Sequence, residues 1–241
     1  MSLDLLDTVN GVFSLIFVVI SIMVGLIILS RYYRYKERVY LYVGTTWMFI
    51  SSSWWSSSIS FLVALGNGVG IPREVYFVIG NIFVPLAIVL WLLAFTEFLY
   101  SEKRKLILSI FVIIGAIFEI LFFTFLFLNP NLIGALNPPV DVRYTSFIMI
   151  FLLSFLLVVV ISGILFANLS LKSKDSEVKL KGKLLLIAYI AFSVGAFLDS
   201  AIPLNEVTII ITRLILILSA ICWYCGFLLP KWMKKYLLRK K

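Results

Sequence analysis

The chain has 241 residues, 62% of them hydrophobic and only 14% charged, with a net charge of +9 and a mean hydropathy of +1.10. A soluble domain of this size cannot hide that much apolar surface, so the composition specifies an all-α polytopic membrane protein. The complete absence of histidine removes the usual metal and haem ligand, and with it every Ser-His or Cys-His nucleophile.

A helix crosses a bilayer core with about 20 apolar residues. Seven stretches meet that length, at about 8–30, 39–65, 74–100, 105–128, 144–170, 184–203 and 207–229. The first follows an acidic start (Asp4, Asp7) and is too long for the apolar core of a signal peptide, so it reads as a retained span with the N-terminus outside. The second carries a serine run from Ser51 to Ser60 around Trp54 and Trp55. Within it Ser53, Ser56, Ser57 and Ser60 share one helical stripe in the outer half of the membrane, with Trp54 and Trp55 as an aromatic wall. Gly66, Gly68, Gly70 and Pro72 break the chain before the third span, which places Asn81 within two turns of the outer surface.

The fourth span holds Glu119 at mid-depth, one turn beyond Gly115. Asn129, Pro130, Asn137, Pro138 and Pro139 mark the loop to the fifth span. On the sixth, Ala191, Gly195 and Asp199 recur every four residues, a small-residue face that suits close helix approach. Pro203 ends that span and Pro230 the seventh. Arg213 lies about seven residues into the seventh span, so at ~1.5 Å per residue it and Asp199 both sit roughly 6–10 Å below their outer helix ends. The short connection makes these helices neighbours, and an Asp199–Arg213 ion pair is expected, since either charge alone would be costly. Cys222 and Cys225 form a CxxC inside the last span and read as small apolar residues.

Charge gives the orientation. Eighteen of the 21 Lys and Arg residues fall in four clusters, at 31–38, 103–105, 172–183 and 231–241. An outside N-terminus and seven crossings put all four clusters in the cytoplasm, as positive-inside sorting requires. Anionic lipid headgroups account for the positive charge there, and no nucleic-acid partner is expected. Residues 1–230 form the bundle, and 231–241 a basic amphipathic tail with Trp232, Met233, Tyr236 and Leu237 on one face.

Seven spans with an outside start invite comparison with retinal proteins, but the interior of the last span has no lysine for a Schiff base, so covalent retinal is not expected, nor any other cofactor or metal. No Pro-Gln pair of the kind found in small sugar carriers occurs, and no complete catalytic set is present, so an enzyme is not expected. The progression Trp47, Pro85, Trp91, Phe95, Glu97, Tyr100, with the segment FLNPNLIGALNP after the fourth span, resembles the N-terminal seven-helix sensor region of prokaryotic, including archaeal, histidine kinases. The histidine that often follows the Asn-Pro in that region is absent, and no signalling domain follows the seventh span. The resemblance implies a sensor module working through a separate cytoplasmic partner. The Ile- and Lys-rich composition points to an archaeal or thermophilic source.

The expectation is therefore a receptor-like or sensor-like protein of a prokaryotic cell membrane. It would bind a small or lipidic ligand in an outward-facing pocket formed by Ser53, Trp54, Ser56, Ser60, Asn81, Glu119, Asp199 and Arg213. Two alternatives stay open: a small carrier using Glu119 as its coupling acid, and a structural or assembly subunit whose polar groups only bind helices together.

Overall fold

The structure is a computed structural model that describes residues 3–202 and 205–238. Among the described residues, seven helices are long and apolar enough to cross a membrane. The first is α1 (Leu5–Tyr35), capped by Asp4, whose carboxylate accepts from Asp7 N at 2.6 Å. The second span comprises α2 (Arg38–Ile50), a 3-10 turn at Ser51–Trp54 and α3 (Trp55–Asn67). The third comprises α4 (Arg73–Asn81) and α5 (Val84–Phe98). The fourth is α6 (Arg104–Leu128), the fifth α7 (Ser146–Leu171), the sixth α8 (Ser176–Ala201) and the seventh α9 (Glu206–Leu228). A short helix, α10 (Lys231–Leu237), follows, and Lys234 forms an ion pair with Glu177 at the start of α8.

Several features depart from the sequence reading. The sixth helix begins at Ser176, about two turns ahead of its apolar stretch, so Lys179, Lys181 and Lys183 lie on a helix rather than in a loop. Pro203, expected to end that span, and Arg239, Lys240 and Lys241 of the last cluster lie outside the described residues. Spans two and three, which showed no clear interruption in sequence, are both broken. In span two the serines compete for backbone carbonyls: Ser51 Oγ donates to Met48 O and Ser58 Oγ to Trp54 O. In span three Pro85, at the start of α5, cannot donate to a preceding carbonyl. The loop before α7 also holds a β-hairpin, β1 (Gly134–Asn137) and β2 (Asp141–Tyr144), with Gly134 opposite Tyr144 and Asn137 opposite Asp141.

The helices enclose an aromatic core. Trp47 stacks on Trp223 at 4.5 Å between ring centroids, and Trp91 and Tyr189 pack against the same indole. Backbones meet closely where side chains are absent: a Cβ on Gly44 of α2 would lie 2.6 Å from Gly25 O of α1. α8 packs against α7 and α9, and α1 against α2 and α9. α6 is the peripheral span, with only 17% of its apolar stretch buried. Among the described residues, the basic clusters lie at one end of this bundle, and the hairpin lies at the other.

Candidate ligand cavity and its charge network

Gly195 is what brings α8 onto α9. A Cβ there would lie 2.9 Å from the Leu216 side chain, so the two helices meet at van der Waals range. One turn along α8, Asp199 reaches Arg213, and the expected ion pair forms. Arg213 is only 2% exposed, which makes its remaining hydrogen bonds a requirement. Its Nε donates to Ser14 Oγ at 3.2 Å and its Nη2 to Asn10 Oδ1 at 3.1 Å, both from α1. The other oxygen of Asp199 accepts from Trp54 Nε1 at 2.9 Å, and the guanidinium lies 5.7 Å from the centre of the Trp54 ring. One buried network thus joins spans one, two, six and seven.

Asn10 and Ser14 were not singled out from the sequence. The signal was there: Asn10, Ser14 and Ser21 recur at helical spacing on an otherwise apolar span, and all three are buried.

The network forms part of the wall of a cavity of about 690 Å³ toward the hairpin end of the bundle. Every span except the fourth contributes to its lining. The lining is polar where Asn10, Ser53, Asp199 and Arg213 meet it, and apolar along Ile88, Leu152, Leu156, Val159, Phe192 and Ala196. The hairpin supplies Asn137 and the run Val140–Tyr144 to the same wall.

The eight residues expected to form the pocket divide into three groups. Ser53, Trp54, Asp199 and Arg213 line the cavity. Ser56, Ser60 and Asn81 do not, and Ser60 and Asn81 act as fasteners for the hairpin and the loop before α4. Ser60 Oγ donates to Pro139 O at 2.5 Å and accepts from Ile71 N at 3.1 Å. Asn81 Nδ2 is 3.1 Å from Tyr144 OH. Ser56 Oγ lies 3.4 Å from Ser53 O, a local contact within the turn. Two neighbours join these fasteners: Ser57 Oγ and Tyr76 OH lie 2.6 Å apart, and both reach Val140 O. Glu119 stands alone. It lies on peripheral α6, outside the cavity lining, and its shielded carboxylate oxygens have no hydrogen-bond partner among the described residues. A Glu119/Asp199/Arg213 triad is therefore not formed, because α1 and Trp54 take the contacts that such a triad would need. Trp55 also turns away from the cavity, toward Phe83. Cys222 and Cys225 are free and buried.

Fold and site together define a helical bundle, with seven helices long and apolar enough to cross a membrane, around a cavity lined by both polar and apolar side chains. Comparison with protein-family models, curated proteins and solved structures finds no match.

Proposed function

We propose that this protein is a receptor-like or sensor-like component of a prokaryotic cell membrane. Its N-terminus and hairpin face outside, and its basic loops and tail face the cytoplasm. A small or lipidic ligand occupies the cavity and biases the packing of spans one, two, six and seven, and a cytoplasmic partner reads the change at the basic end. The observation that carries this reading is the coincidence of the two features: the buried Asp199–Arg213 network, which spans four helices, forms part of the cavity wall. A ligand touching that wall would alter the contacts that set how those helices pack.

The test is thermal unfolding of the purified protein in lipid nanodiscs, with and without lipid extract from the expression host. A receptor is stabilised by its ligand in proportion to occupancy, with no accompanying flux in proteoliposomes. Stabilisation by no fraction of the extract counts against the reading. Orientation is tested by labelling single cysteines introduced at Asn137 and Lys172, which should react from opposite sides of the membrane; both native cysteines are buried.

A carrier is the second reading. It is favoured by the breaks in spans two and three, which both lie beside the cavity at Ser51–Trp54 and at Ile82–Phe83. Interrupted spans of this kind form substrate sites in carriers. Uptake that depends on Glu119 would favour it over the receptor.

A further inference from the structure

Resting on the ligand-pocket reading above, we infer that the cavity takes an uncharged long-chain amphiphile whose small head carries an oxygen acceptor.

The head is defined by which polar groups remain free. All three Arg213 nitrogens have acceptors, in Asp199, Asn10 and Ser14. Both Asp199 oxygens have donors, in Arg213 and Trp54. The pair is thus internally neutralised and offers no spare charge to an ionic head. The other charged groups lining the cavity are Asp7, at the start of α1, and Asp141 and Arg143, on the hairpin. Arg143 is exposed and the two acids are partly so, which leaves them hydrated at the hairpin end. A charged head drawn into the buried network would lose its own hydration without gaining a counter-ion.

Asn10 offers the cavity a donor that the charge pair does not use. Asn10 is 3% exposed and lines the cavity. Its Oδ1 accepts from Arg213, which can only donate, so the orientation of the amide follows and Nδ2 carries the hydrogens. Nδ2 has no acceptor among the described residues. Ser53 also lines the cavity, and its hydroxyl has no protein partner among the described residues. A donor amide and a free hydroxyl on the wall of one cavity suit a carbonyl, hydroxyl or ether oxygen.

The body is defined by the rest of the wall. From Ile88 and Ala87 of α5 through Leu152, Leu156 and Val159 of α7 to Phe192 of α8, the lining offers no hydrogen-bonding side chain. At the ~30 Å³ that a water molecule occupies in the liquid, the cavity holds roughly 20 non-hydrogen atoms. That is the size of a single long alkyl or isoprenoid chain with a small head.

The experiment compares three photoreactive probes of equal chain length in nanodiscs: hexadecanol, hexadecanoate and hexadecyltrimethylammonium, each with a diazirine on the chain. Crosslinks are mapped by peptide mass spectrometry. The alcohol should label peptides of α5 and α7 that face the cavity, and excess unlabelled hexadecanol should suppress that labelling. Ala87→Phe narrows the apolar end without touching the charge network, and should abolish it. Asn10→Leu should weaken it by about tenfold, a typical cost of losing one buried hydrogen bond. Equal or stronger saturable labelling by the acid or the ammonium probe overturns the uncharged head and leaves the pocket reading intact. So does unchanged alcohol labelling in a folded Asn10→Leu variant. Absence of saturable cavity labelling by all three probes overturns this inference, and the pocket reading then falls too if no extract fraction stabilises the protein.

Discussion

Replacing Asp199 by Asn keeps the shape of the side chain and removes the acid that, among the described residues, pairs with Arg213. The guanidinium stays 2% exposed and still holds Asn10 and Ser14, but both of those partners are neutral. Two unit charges about 4 Å apart attract by about 4 kcal/mol at the effective dielectric of a partly buried site. Breaking a buried pair from one side typically costs 3–5 kcal/mol. The retained neutral contacts, and the 16% exposure of the Asp199 side chain, place the expected loss at the low end, about 3 kcal/mol. For a chain of this length that lowers Tm by about 6–12 °C. Arg213→Gln should cost a similar amount, because among the described residues Asp199 then keeps only Trp54. The double variant should cost less than the two single losses combined, since it removes both uncompensated charges. The assay is tryptophan-fluorescence thermal unfolding of all four proteins in one lipid composition, read as a double-mutant cycle. Coupling below about 0.5 kcal/mol, the usual scatter for independent sites, would refute the argument that the pair holds spans six and seven together.

Three further outcomes follow from the packing. Ser60→Ala leaves Ile71 N–H and Pro139 O without their shared partner, and should cost about 1–3 kcal/mol while speeding amide hydrogen exchange across the hairpin. Gly44→Ala puts a methyl 2.6 Å from a backbone oxygen of α1, so thermal unfolding should report a loss of about 1–3 kcal/mol, whereas an unchanged Tm would mean that α1 and α2 are farther apart. Glu119→Gln should leave ligand-dependent stabilisation unchanged, because that carboxylate is outside the cavity wall; loss of stabilisation would place α6 at the site.

Much of this protein is local enough to read along the chain. Span count depends on apolar length, and the grouping of Lys and Arg depends on position relative to those spans; neither needs a partner element. The Asp199–Arg213 contact was legible for a related reason. Only a short connection separates α8 from α9, which makes them neighbours, and helix rise places the two charges at one depth. Gly195, one turn away on the same face, completes the prediction.

The remainder depended on how each helix is turned about its own axis. Inside a bilayer the hydrophobic effect does not choose which face packs inward, so an apolar span carries little rotational information of its own. That is why Glu119, plausible by depth, stands outside the cavity, and why Trp54 faces it while Trp55 does not. Long-range partners were equally invisible: Ser60 and Pro139 are far apart in the chain, and only the folded hairpin joins them. Sequence alone thus determined seven apolar spans, the basic clusters between them and one charge pair, all set by local length and spacing. Tertiary structure decided that α1 supplies Asn10 and Ser14 to Arg213, that the serines of span two hold the hairpin, and that these elements enclose a cavity, because such contacts follow from helix rotation and packing across the bundle.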